Sequence, residues 1–152
     1  MIQRIQTVFL LLGMIAWNVL FFRPFVGFTN DAGGSWYLFA GSIRETVGAD
    51  VVMGTLPLLL LLIIVDLLLL AALLLYRRRT LQLRVTLLAM ILQILIYGLA
   101  GLYVFFGTQK LDASPHLLFS SVLPLAAFIL TLLAFRGIRR DQLLLRALDR
   151  LR

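Results

Sequence analysis

Four long apolar runs alternate with short polar connections along this chain. The first covers about 5–22, and from Val8 onward it is apolar apart from Asn18. The second covers about 51–76, and within its 21 residues from 56 to 76 only Asp66 is charged. A helix of that length is roughly 31 Å long at ~1.5 Å per residue, the thickness of a bilayer's hydrocarbon core. The third and fourth runs cover about 85–106 and 115–135. Apolar runs of this length are the signature of membrane spans. The pattern predicts an all-α membrane protein: an antiparallel four-helix transmembrane bundle with a cytoplasmic amphipathic tail helix.

Local signals set the boundaries. Pro57 falls in the first turns of the second span, where its missing N–H costs little. The tight connection 77–84 makes spans two and three antiparallel neighbours. Ser114-Pro115 reads as an N-cap followed by proline at the first helical position, opening span four. Pro124 then lies well inside that span and predicts a kink that frees the Ser120 carbonyl, with Ser121 close by. In the outer loop 23–50, the turn signal Asn30-Asp31-Ala32-Gly33-Gly34 separates FVGFT from SWYLF. A small hairpin and an aromatic loop with Trp36 and Tyr37 at headgroup level both fit it. No small-residue cleavage site follows the first run, so it reads as an uncleaved span. The tail 136–152 places Leu144, Ala147, Leu148 and Leu151 on one helical face and Arg139, Arg146 and Arg150 on the other. Gly137 reads as its hinge, and Arg140 and Arg152 blur the apolar face.

Composition and charge sharpen this picture. The 152 residues are 62% hydrophobic with a mean hydropathy of +1.03, well above the ~45–50% of soluble domains. The net charge of +7 would suit nucleic acid. The basic residues, however, sit beside the apolar runs, so nucleic acid is not an expected partner. Eleven of the fourteen fall on one side: Arg4, Arg77, Arg78, Arg79, Arg84, Arg136, Arg139, Arg140, Arg146, Arg150 and Arg152. Arg23, Arg44 and Lys110 fall on the other. The positive-inside rule therefore predicts a multi-pass protein with both termini in the cytoplasm. The chain has no cysteine, which removes disulfides, thiolate metal sites and lipidation on sulfur.

Three segments carry a resemblance. The opening MIQRIQT, the turn RRRTLQLR and the ending RGIRRDQLLLRALDRLR resemble a bacterial family of small four-span membrane proteins known as domain of unknown function 4293. The matching positions are Leu81, Gln82 and Arg84 in the turn. In the tail they are Arg136, Ile138, Arg139, Asp141, Asp149, Arg150, Leu151 and Arg152. The resemblance spans the whole chain and implies a bacterial inner-membrane protein. It implies no activity.

Asp66 is the first candidate for chemistry. A mid-span carboxylate costs ~2.5–3.5 kcal/mol to insert and each leucine returns ~0.3–0.6. With 13 leucines between 56 and 75, insertion alone demands no special role for it. Counted from the arginines, Asp66 and Gln93 lie within roughly 3 Å in depth. Tyr97 is one turn beyond Gln93, and Asn18 is somewhat further out. One reading is a proton- or ion-responsive carboxyl lined by Gln93, Tyr97 and Asn18. The blander one is a protonated Asp66 bonded to Gln93 as interhelical glue. Ala89, Gln93, Tyr97 and Gly101, at spacing four, fit either a lined cavity or a small-and-polar packing face. His116, the sole histidine, reads as an interface residue; Asp31, Glu45 and Asp50 could bind a cation, but scattered beside Arg44 they read as a solvated loop.

No nucleophile–base arrangement, phosphate loop or metal-ligand cluster is present in the sequence, so neither catalysis nor a cofactor is expected. The strongest chemical feature is the arginine face: Arg77, Arg78, Arg79, Arg84, Arg139, Arg140, Arg146 and Arg150. It predicts contact with anionic lipid headgroups of the bilayer or docking of a membrane or cytoplasmic protein partner. Homo-oligomerisation is a further expectation. The function expected is a non-enzymatic accessory subunit, adaptor or lipid-interacting scaffold. The alternative is a small oligomeric transporter or proton-responsive unit centred on Asp66.

Overall fold

The computed structural model describes residues 2–45 and 50–150, and the side chains of 5–45 and 50–144. The chain is mostly helical, with α1 (Ile2–Val19), α2 (Leu56–Leu74), α3 (Arg79–Leu111) and α4 (Leu123–Arg150). Among the described residues three helical stretches are long and apolar enough to cross a membrane: Leu56–Arg77, Arg79–Leu111 and Phe119–Leu144. Ile5–Val19 is a shorter apolar helix. Helix α1 packs along α4 and α2 along α3, with further seams between α3 and α4 and between α1 and α2.

The fold is not all-α. Five short strands, β1 (Val26–Thr29), β2 (Ser35–Leu38), β3 (Ser42–Glu45), β4 (Val51–Gly54) and β5 (Ser114–Leu117), form an antiparallel sheet in the order β4-β3-β2-β1-β5. The hairpin reading of the outer loop is the one realised. Asn30 closes the β1–β2 turn, its side-chain oxygen accepting the Gly34 N–H at 2.7 Å, with Gly33 at φ +85°.

Two expected boundaries move as a result. Residues 51–54 belong to β4 rather than to the second span. Ser114-Pro115 is not a helix cap: it lies in β5, on the edge of the sheet, where a proline's missing N–H costs no ladder bond. Helix α4 then opens only at Leu123, after a 3-10 turn over Phe119–Val122. Pro124 therefore sits in the first turn, where no intrahelical bond is lost, and causes no mid-helix kink.

The sheet closes over one end of the helices: the ends of α1 and α3 and the starts of α2 and α4. Phe28 and Ile43 lie directly over Gly107 of α3, where an added Cβ would come within 3.0 Å of the Phe28 ring. Thr55, just before α2, donates its hydroxyl to the Phe39 and Ala40 carbonyls. Ser120 and Ser121 donate theirs to the Pro24 and Phe25 carbonyls. The sheet is thus tied to three of the four helices by side chains as well as by the chain itself.

Each helix buries one stripe with alternating spacings of four and three. The stripes are Gln6, Leu10, Gly13 and Trp17 in α1, and Leu58, Leu62, Val65, Leu69 and Ala72 in α2. In α3 the stripe is Gln82, Thr86, Ala89, Gln93 and Ile96, and in α4 it is Ala127, Thr131, Ala134, Ile138 and Asp141. That 3.5-residue period keeps a stripe in line on gently coiled helices packed at a small angle. The stripes of α1, α3 and α4 mix small and polar residues with large apolar ones such as Leu10, Trp17, Ile96 and Ile138, the α2 stripe is wholly apolar, and many further leucines, isoleucines and phenylalanines point outward. Gly13 meets the Ala127 carbonyl and the Thr131 hydroxyl, each 3.5 Å from where its Cβ would be. Close backbone approach through small residues is how helices associate where lipid removes the hydrophobic driving force.

Candidate functional site

The arginine turn between α2 and α3 and the first turns of the basic tail form one surface at the end opposite the sheet. The chain turns through a single 3-10 turn, Leu75–Arg77. Gln82 donates to the Ala72 carbonyl at 3.0 Å, closing the α2–α3 corner. Asp141 is buried and pairs with Arg79 at 3.9 Å. Gln142 donates to the Thr80 hydroxyl at 3.0 Å. Arg77 turns back on Tyr76, its Nε donating to the phenol oxygen at 3.1 Å and its guanidinium lying 5.7 Å from the ring centroid.

Arg78, Arg84, Arg136, Arg139 and Arg140 are exposed. Among the described residues none of the five has an acidic partner. Five guanidinium groups without carboxylates on one end of the molecule make a surface suited to phosphate or carboxylate. The side chains of Arg4, Arg146, Asp149 and Arg150, and the whole of Arg152, lie outside what the structure describes.

The tail is not a separate amphipathic helix hinged at Gly137. Helix α4 runs without interruption from Leu123 to Arg150. Gly137 instead makes room for Gln6, whose Cγ would stand 2.7 Å from an added Cβ. Ile138 is fully buried beside it.

The polar constellation expected around Asp66 is only partly assembled. Asn18 donates to Asp66 Oδ1 at 2.8 Å and to the Met14 carbonyl at 2.9 Å. One residue earlier, the fully buried Trp17 donates its indole N–H to the Leu62 carbonyl at 3.1 Å. Two consecutive residues of α1 thus clamp one turn of α2. Gln93 does not join them. It donates to the Thr131 hydroxyl at 3.3 Å, and that hydroxyl donates to the Ala127 carbonyl at 2.8 Å.

Tyr97 leaves the stripe and meets the Leu125 backbone. The reason is rotational: repeated steps of four drift ~40° each on a 3.6-residue helix, so Ala89 and Gln93 are buried while Tyr97 and Gly101 are exposed. Tyr97, Ala100 and Gly101 line an apolar groove of about 590 Å³ between α3 and the start of α4, floored by Phe25 and Ile96. His116 lies on β5 above Gly27, edge-on to Tyr37 at 6.5 Å between centroids. Among the described residues no three His, Asp or Glu side chains come together to hold a metal ion. Thr131 and Gln6 make contacts that the sequence did not single out. The repeated 4-3 spacing of polar and small residues was the available signal.

The family model described as Domain of unknown function (DUF4293) matches residues 2–151, nearly the whole chain. The chain belongs to the DUF4293 family. No curated protein matches it. In this DUF4293 chain the turn and tail segments that carry the resemblance are the ones that touch one another. Gln82, Ile138 and Asp141 are buried there, while Arg84, Arg136 and Arg139 remain on the surface.

Proposed function

We propose that the protein is a non-enzymatic inner-membrane protein of four spans with both termini in the cytoplasm. It serves as an accessory, adaptor or lipid-interacting scaffold through its arginine end. The observation that carries this reading is the apolar envelope of the helices together with polar residues inside it. Ile5, Val8, Leu11, Leu12 and Ile15 of α1 face outward, as do large apolar residues along the other three helices. The buried stripes hold Gln6, Gln82, Gln93, Thr86 and Thr131. Water would penalise that envelope, whereas lipid accepts it. Helix α1 shares the envelope, which supports counting it as a fourth span despite its length.

The unpaired arginines Arg78, Arg84, Arg136, Arg139 and Arg140 all lie at one end, as the positive-inside rule expects of a cytoplasmic face. Each guanidinium near an anionic leaflet contributes ~1 kcal/mol.

Changing all five to glutamine tests the surface. Purification from native membranes in mild detergent, with mass spectrometry of lipids and proteins, is the readout. The wild-type protein is expected to retain anionic lipid or a protein partner near one-to-one stoichiometry, and the five-fold variant to lose it. Unchanged lipid and protein content in the variant would contradict the proposal. A partner protein retained by the wild type alone favours the adaptor form, and anionic lipid alone the scaffold form.

A further inference from the structure

The seam between α1 and α2 carries two hydrogen-bonding atoms that the fold does not use. Asn18 commits both amide hydrogens, one to the Met14 carbonyl and one to Asp66 Oδ1. Among the described residues, nothing donates to the Asn18 side-chain oxygen or meets the second carboxyl oxygen of Asp66. Both side chains are half-buried, flanked by the outward-facing Ile15, Val19, Ile63 and Leu67. In hydrocarbon, polar atoms left in this state are expensive, and intramembrane carboxyls are found paired. Beside them a shallow groove of about 290 Å³ runs along α1, lined by Leu11, Met14, Ile15, Asn18, Val19 and Phe22. Leu11, Ile15, Asn18 and Phe22 repeat at spacings of four, three and four, the same alternation as the four internal stripes.

We propose that this seam is the contact face of a two-fold homodimer. The Asp66 carboxylic acid of each copy donates to the Asn18 side-chain oxygen of the other. The occupant is a second copy because the unused set is self-complementary. In its acid form Asp66 offers one O–H donor, Asn18 offers one acceptor, and a two-fold axis beside the seam satisfies both pairs at once. A foreign helix would have to bring a matched donor and acceptor to the same depth. The proposal rests on the reading of α1 and α2 as membrane spans.

The absence of cysteine makes the test direct. Ile15→Cys places a single thiol in the groove. Leu102→Cys places one on the outer face of α3, at a similar exposure. Copper–phenanthroline oxidation in native membranes is expected to give a disulfide-linked dimer with Ile15→Cys and monomer with Leu102→Cys. Adding Asp66→Leu or Asn18→Leu to Ile15→Cys removes both intersubunit bonds, and dimerisation is expected to weaken roughly tenfold. Asp66→Asn keeps a donor and an acceptor and is expected to preserve the dimer.

Equal dimer yields at Ile15 and Leu102 would overturn the proposal. So would an undiminished dimer in either leucine variant, provided that it remains helical and resists extraction by alkaline carbonate. Two leucine variants are used so that one failing to integrate leaves the other as the test. Extraction of the wild-type protein by carbonate would instead overturn the span reading, and the dimer with it.

Discussion

Trp17→Ala is expected to lower the unfolding free energy by about 3 kcal/mol, the lower end of the range for emptying a buried tryptophan site. Trp17 is fully buried in the α1 stripe, and its indole N–H is bonded to the Leu62 carbonyl. In lipid the transfer part of the usual penalty shrinks, because the surroundings of an unfolded helix are apolar too. The cavity and the lost hydrogen bond remain. Leu12→Ala is the matched control. Leu12 lies on the outer face of the same helix, away from the groove beside Asn18, and its loss is expected to change stability by less than about 0.5 kcal/mol. Unfolding of both variants in mixed micelles, followed by circular dichroism, measures the difference. Equal stabilities would mean that α1 does not pack as described.

Truncation after Arg136 is expected to destabilise the whole helical assembly rather than to detach a free tail. The removed segment carries the fully buried Ile138 and the buried Asp141. It also carries the Arg79–Asp141 ion pair and the Gln142–Thr80 bond. Loss of a buried isoleucine alone costs about 2–5 kcal/mol, and Arg79 loses its partner as well. Truncation after Leu144 leaves each of these contacts in place and is expected to remain folded. The tail is not separable because the buried stripe, with spacings of four and three, continues past Arg136. Ala134, Ile138 and Asp141 extend the stripe of Ala127 and Thr131 without a break. The gain in charge at Arg136 does not mark where the packing ends. Thermal melts of the two truncations in detergent distinguish the outcomes. A truncation after Arg136 as stable as the full chain would contradict the packing described.

The helices were legible because each apolar run exceeds what a soluble core helix needs, and the turn at 77–84 was legible from its arginines. The sheet was not. Its strands are four residues long, too short for an alternating pattern to declare itself. Val51–Gly54 merged into the apolar run that follows it. Ser114-Pro115 opens a helix and occupies a sheet edge with equal ease, and only pairing with β1 decides between them.

Along the apolar helices, counting residues from the arginines gave depth but not direction. Asp66 and Gln93 share a depth, yet they point to different seams. Asp66 meets Asn18 of α1, and Gln93 meets Thr131 of α4. In a helix that is apolar nearly all round, hydrophobicity alone does not mark the buried side: in α1, α3 and α4 polar and small residues share it with large apolar ones, and in α2 it is wholly apolar.

In the proposed topology the sheet and the arginine surface lie on opposite sides of a membrane, with the arginines in the cytoplasm. Single-cysteine labelling tests it most directly, in the cysteine-free background. Asp31→Cys stands at the β1–β2 turn and Arg78→Cys at the opposite end, both exposed. With an impermeant maleimide, and the outer membrane opened, intact cells are expected to label Asp31→Cys at once. Arg78→Cys is expected to label only after the inner membrane is permeabilised. Labelling of Arg78→Cys in intact cells, or of both positions together, would contradict the account.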